Sequence, residues 1–189
     1  TMAENLSIDR SPSRLPEADF SRRARAITWL VLDVDGVLTD GRLIYGPKGE
    51  YLKTFQVRDG LAIRLAREAG LKVGILSGRA SEALAARALE LDIDALLQGR
   101  GDKRTAFASF CAEKGIEAAA VAAIGDDLPD LPLLSAAGLS FAPADAVPEV
   151  LSRVHRPLAH RGGRGAVREM VELLLKARGA WGDVVARYS

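Results

Sequence analysis

Short apolar runs alternate with longer amphipathic stretches along most of the chain. The first run, Leu30-Val31-Leu32-Asp33-Val34, is too short and too β-branched for a helix and predicts a buried parallel strand. Two strand-like runs around Gly46-Pro47-Lys48-Gly49 predict a hairpin over 41–56. Asp59 is a plausible N-cap for a helix over 60–69, which Gly70 ends. The pattern then predicts a strand at 72–76, a helix at 81–91, a strand at 95–97 and a helix at 103–114 closed by Gly115. A strand at 121–124, a helix at 131–136, a strand at 139–142 and a helix near 147–151 continue the alternation. The glycine-arginine segment 160–165 leads into an amphipathic helix ending near Arg178. Such β-α repetition implies an α/β fold, a Rossmann-like, three-layer α/β/α arrangement around a mostly parallel sheet.

Residues 1–26 carry Arg, Ser, Pro and acidic residues with little apolar periodicity, and read as a flexible tail in which Arg22, Arg23 and Arg25 are solvated or touch an acidic partner. The body then spans 27–178, and 179–189 forms a C-terminal tail that either frays or reaches a neighbouring subunit.

A length of 189 residues suits one domain with a real core. The net charge of +1 gives no electrostatic reason to expect nucleic acid or an anionic membrane as partner. The single Cys111 has no internal disulfide partner and reads as buried filler, so a cytoplasmic protein is expected. No run reaches transmembrane length, and the polar start lacks a signal-peptide core.

The candidate chemistry sits at the ends of the predicted strands. Asp33 and Asp35, spaced by two, fall on one side of an extended chain just before Gly36. Ser77 ends the second strand of the body, Lys103 opens a helix after the third, and Asp126, Asp127 and Asp130 come after the fourth. Parallel strands bring these ends to one edge of the sheet. Each piece has a plainer reading: Ser77-Gly78 as a turn, Lys103 as a surface lysine, the last acids as a helix cap. Gathered together, several carboxylates would repel unless a cation joined them. Hard oxygen ligands suit Mg²⁺, and backbone N–H groups after Ser77 suit a phosphate.

Asp33-Val-Asp35-Gly-Val-Leu-Thr39, Ser77-Gly-Arg79, Lys103 and Gly125-Asp126-Asp127-x-x-Asp130 resemble the four signature motifs of the haloacid dehalogenase-like phosphohydrolases. The resemblance implies that Asp33 is the nucleophile and forms an aspartyl-phosphate. Asp35 would be the general acid and then the base. Asp33, the main-chain carbonyl of Asp35 and Asp126 would hold Mg²⁺. Lys103 and Ser77 would steady the phosphoryl group. The sequence leaves open whether Asp127 or Asp130 meets the metal directly or through water.

The gaps between these motifs are too short for a large cap domain, so the hairpin is the only flap, and a neighbouring subunit is the obvious way to exclude water. Thr54-Phe-Gln56-Val57-Arg58-Asp59-Gly60 and Gly162-Gly-Arg-Gly-Ala-Val-Arg-Glu169 are similar to the capless 3-deoxy-D-manno-octulosonate 8-phosphate phosphatases of lipopolysaccharide synthesis. That resemblance implies a small sugar-acid phosphate as substrate, a homotetramer with sites completed by a neighbour, and substrate contacts from Gln56, Val57, Arg58, Asp59, Gly60, Arg64, Arg79, Arg87 and Lys103. Arginines suit the planar carboxylate of a sugar acid. Rival readings are a phosphatase for a nonulosonate 9-phosphate, a nucleic-acid end phosphatase, and a catalytically silent assembly module.

Overall fold

Six short strands form one fully parallel sheet in the computed structural model, which describes residues 15–47 and 49–188. In chain order the elements are α1 (Glu17–Ala26), β1 (Trp29–Leu32), β2 (Ile44–Gly46), β3 (Gly49–Leu52), α2 (Val57–Glu68), β4 (Lys72–Leu76), α3 (Glu82–Glu90) and β5 (Ala95–Leu97). Then come α4 (Lys103–Lys114), β6 (Val121–Ile124), α5 (Leu131–Ala136), β7 (Leu139–Ala142), α6 (Pro148–Leu151), β8 (Arg156–Pro157), α7 (Ala166–Ala177) and α8 (Trp181–Ala186). The sheet order is β5-β4-β1-β6-β7-β8. β2 and β3 form the separate antiparallel hairpin; Lys48 in its turn lies outside the described residues.

Strand alternation divides the core into two. Leu30, Leu32, Val73, Ile75, Ile124, Leu139 and Phe141 face α1, α2, α3, α7 and α8. Trp29, Val31, Leu76, Val121, Ala123 and Ala142 face α4, α5 and α6. Strands buried on both faces explain why these runs are apolar throughout rather than alternating. From β1 the chain winds outward through β4 and β5, then returns to β6 and winds the other way. The reversal opens a crevice between the carboxyl ends of β1 and β6, the usual ligand position in such sheets.

Two expected tails are corrected. Residues 1–14 lie outside the described residues, but 17–26 form α1, with Phe20 and Ala24 buried. Of the arginines that made this stretch look solvated, Arg22 and Arg25 are indeed exposed, and Arg23 serves the packing. Arg23 donates to the Gly138 carbonyl at 2.9 Å. Arg156 lies over the Phe20 ring and pairs with Glu17. Arg178 donates to the carbonyls of Ala24 and Ile27, satisfying the end of α1. At the other terminus residues 181–186 form α8 rather than a frayed tail: Val184 is buried and Trp181 lies beneath Arg168 and Lys176 of α7.

Asp59 is also corrected. Gln56 caps α2, accepting from the Arg58 amide. Asp59 lies one turn further, 1% exposed, and accepts from the backbone N–H groups of Gly165 and Arg168. It therefore caps α7, a helix far away in sequence, where a carboxylate meets the orphan amides and the positive dipole end. Burial raises its pKa, against the pull of those amides.

If α1 belongs to the core, Phe20→Ala lowers the unfolding free energy by about 3–5 kcal/mol, read from urea denaturation. An unchanged midpoint would return the segment to a tail.

Candidate active site

The site is built from the loops at the carboxyl ends of β1 and β6 and the start of α4. Asp33 comes directly after β1, and its amide donates to Ile124 of β6 at 3.1 Å. Asp102 caps α4, accepting from Thr105, so Lys103 leaves the first helical position and enters the crevice. The Lys103 ammonium donates to Asp33 Oδ1 at 2.7 Å and to Asp130 Oδ1. All three side chains are almost fully buried.

The loop after β6 is fastened by Asp130. Its Oδ2 accepts from the amides of Asp126 at 3.0 Å and Asp127 at 3.2 Å. Asp127 in turn caps the short 3₁₀ turn Leu128–Asp130, so the plain capping reading of these acids holds for two of them. Asp126 is left to face Asp33. One oxygen each from Asp33, Asp126 and Asp130 lies within 4.8 Å of the others. The approach is tight: Gly36, at φ +87°, faces Asp126 so closely that a Cβ would overlap the carboxylate.

Three carboxylates against one ammonium leave the cluster short of positive charge. Burial first, then Asp130, pushes Asp33 up to about 7 despite Lys103. Burial, then Asp33, Asp130 and Asp127, pushes Asp126 up to about 8. Burial alone would lower Lys103, but Asp33 and Asp130 outweigh it and hold it above its usual value, hence charged. A small divalent cation with hard oxygen preference supplies the missing charge, so the residues present fit one.

Ser77 stands at the end of β4, beside β1 in the sheet, and is 2% exposed. Its hydroxyl accepts from the Arg79 amide at 3.2 Å, shaping the turn. Asp35 sits apart from the buried trio, on the hairpin side. Lys53, immediately after β3, donates to Asp35 Oδ1, and Arg79 Nε lies 3.9 Å from Oδ2. Arg79 also donates to Tyr45 at 2.9 Å and pairs with Glu50. Lys53, with a side chain only 2% exposed, is a buried partner of Asp35 with no counterpart among the sequence expectations; a lysine after a strand carries no signal that it is buried.

The expected substrate residues divide. Gln56, Val57 and Arg58 stand at the exposed start of α2, Val57 at 77% exposure. Arg87 pairs with Glu90 and packs by the Phe55 ring, lying so close to Gly60 that any side chain there would strike its guanidinium. Gly60 and Asp59 are buried, so they shape this region rather than offer contact atoms. Arg64 is not brought to the Asp33 site of its own chain, because α2 descends away from that edge. It pairs with Glu90 and lines a polar depression with Lys72 and Asp94, at the opposite end of β4.

The carboxyl cluster makes metal-free stability depend on pH. A carboxyl whose folded pKa lies above its unfolded value near ~4 binds protons more tightly when folded. Its contribution is present in full at acid pH and lost as pH rises through 7 to 8. In EDTA, wild type should therefore lose more unfolding free energy between pH 5 and 8 than Asp126→Asn, and Mg²⁺ should remove the difference. Equal slopes in EDTA would contradict the crowding of these acids.

Comparison with known proteins identifies the family. Residues 95–160 match the family profile described as haloacid dehalogenase-like hydrolase. The chain is 44% identical over 160 residues, 85% of its length and 89% of the other, to 3-deoxy-D-manno-octulosonate 8-phosphate phosphatase KdsC of Haemophilus influenzae. It is 44% identical to KdsC of Escherichia coli K12, covering 86% of each chain. The Moraxella catarrhalis phosphatase of that name, solved with magnesium, phosphate and KDO, superposes with a TM-score of 0.87 at 36% identity, covering 90% of this chain and 98% of the other. The chain belongs to the haloacid dehalogenase-like hydrolases, in the family of the 3-deoxy-D-manno-octulosonate 8-phosphate phosphatases.

Proposed function

We propose that this chain is a Mg²⁺-dependent phosphomonoesterase that hydrolyses 3-deoxy-D-manno-octulosonate 8-phosphate to the free sugar acid and phosphate, in the supply of lipopolysaccharide precursor. The observation that carries the reading is the buried Lys103 ammonium held between Asp33 and Asp130, with Asp126 alongside. Such an arrangement fixes one carboxylate beside a cationic receptor for a phosphoryl group.

Asp33 attacks phosphorus, the bond to the sugar oxygen breaks, and Asp35 gives that oxygen a proton. Asp35 then takes a proton from water as the water attacks the aspartyl-phosphate, releasing phosphate and restoring Asp33. Bound Mg²⁺ would supply positive charge to the carboxylates and the phosphoryl oxygens, held by Asp33, the carbonyl of Asp35 and Asp126. Asp130, whose oxygens accept from Lys103 and from two backbone amides, is a buttress to those ligands. Lys103 balances the transferring phosphoryl group, and Ser77 with the amides after it cradles its oxygens. Gln56, Val57, Arg58, Arg79 and Arg87 are the substrate-contact residues of this reading, the arginines pairing with the sugar carboxylate.

The hairpin supports a homotetramer with shared sites. Leu43, Ile44, Tyr45, Tyr51 and Leu52 are exposed on it, an apolar surface of the kind that a neighbouring subunit would cover. Cytoplasmic residence rests on Cys111 having no second cysteine in the sequence. No helix of the described residues is long and apolar enough to cross a membrane.

Asp33→Asn should lower kcat at least about 10³-fold, since an amide is a very poor nucleophile. Phosphate release from the octulosonate and nonulosonate esters, with Mg²⁺ and with EDTA, tests both the chemistry and the sugar. A higher kcat/KM on the nine-carbon ester would reassign the substrate, and an activity untouched by Asp33→Asn would overturn the nucleophile.

A further inference from the structure

We infer that Lys53 is a positioning residue for Asp35: the hairpin places a buried ammonium on one oxygen of the general acid, so that the other oxygen carries the transferred proton. This rests on the phosphatase reading above.

The side chain of Lys53 is 2% exposed. Burying an ammonium is unfavourable unless it is paired and hydrogen-bonded, and a fold that needed only to pin the hairpin could do so with apolar contacts. Here the charge is directed at a specific atom. Lys53 donates to Asp35 Oδ1. Its second anionic neighbour is Glu50 Oε1 at 3.3 Å, on the inward side of β3. Arg79 holds the far side of Glu50, at 3.4 Å, and Tyr45 of β2 ties Arg79 to the hairpin. Asp35 Oδ2 stands 3.9 Å from Arg79 Nε, too far for a hydrogen bond.

The two oxygens of Asp35 are therefore unequal. A lysine ammonium only donates, so Oδ1 acts as an acceptor and a proton on Asp35 resides on Oδ2. When the phosphorus–oxygen bond of the ester breaks, the proton leaves Oδ2 for the departing sugar oxygen. When water attacks the aspartyl-phosphate, the same oxygen takes a proton back. Lys53 gains and loses nothing; it fixes which oxygen acts and the plane in which it lies. General acid–base groups contribute through such alignment as well as through their strength.

The role predicts selectivity by leaving group. An alkyl sugar oxygen leaves poorly unless protonated, whereas 4-nitrophenolate leaves without help. The experiment compares the first-turnover release of the alcohol from the sugar phosphate and from 4-nitrophenyl phosphate, using the full chain with Mg²⁺ and rapid quenching. Lys53→Met should slow release from the sugar ester at least ~30-fold more than release from the aryl ester. Glu50→Gln keeps the lysine and its packing, and should produce a smaller loss of the same selective kind. Lys53→Ala supplied with propylammonium should recover sugar-ester release preferentially. Equal falls on the two esters, or no preferential recovery, would overturn the role of Lys53 while leaving the phosphatase reading intact. Failure of both Lys53→Met and Glu50→Gln to fold would assign the pair to stability instead. Wild-type protein inactive on both esters would overturn the phosphatase reading and this inference with it.

Discussion

The Lys103 ammonium between Asp33 and Asp130 is the interaction on which the rest of the site depends. It spans three separate stretches of chain: the end of β1, the start of α4 and the loop after β6. Removing one partner of such a buried, hydrogen-bonded set leaves the others uncompensated, at a cost of about 3–5 kcal/mol. The same bridge leaves Asp126 without a cation of its own, and its carboxyl is pushed up to about 8 in consequence of burial and its acidic neighbours. A fold designed only for stability would not gather these charges at the carboxyl edge of a sheet. Their excess is what makes the edge receptive to a divalent ion and a phosphoryl group.

Backbone contacts hold that edge rigid. The segment before α7 presses against the loop after β1: the Gly163 amide donates to Val37 at 2.8 Å, and Gly162 abuts Gly36 with no room for a Cβ. Asp145 accepts from the Gly162 amide, and Asp59 of α2 caps α7 itself. Thus α2, α7 and the loop after β1 are tied to one another through glycines and two carboxylates. The glycine-rich run near the C-terminus is there because the chains must touch backbone to backbone.

The inner strands β1, β4, β6 and β7 were legible because they are buried on both faces, which makes an apolar run unambiguous. The edge strand β8, two half-buried residues at 156–157, carried no such run and was missed. The aspartates after β1 and β6 were legible for the same reason as the inner strands: a buried strand fixes the position of the residues just beyond its end. Lys103 was legible as the first residue of α4. Features that depended on a distant partner escaped. The pattern of α1 is spoiled by arginines, of which Arg23 finds its acceptor in the distant carbonyl of Gly138, and the carbonyl of Ala24 is met by Arg178, just after α7. Asp59 looked like the cap of the nearest helix, but the amides it meets belong to residues 165 and 168. Arg64 could be placed on α2 but not on the height at which that helix leaves the site. Lys53 is the extreme case, since nothing local separates a lysine in solvent from one buried against a carboxylate 18 residues earlier.

The hairpin gives these separate features a common logic. Its two faces differ in kind: Tyr51 and Leu52 stand toward solvent, while Glu50 and Lys53 turn inward to Arg79 and Asp35. A two-stranded hairpin has too little core to hold itself, so its inward grip on the site and its outward apolar face cannot be independent. In the proposed assembly, covering the outer face raises the persistence of the inner one, and Asp35 is fixed as firmly as the hairpin that carries Lys53. A large cap would achieve the same order by closing over each substrate. In the proposed assembly that order would be set once, when subunits meet, with Asp35 already aligned before a substrate arrives.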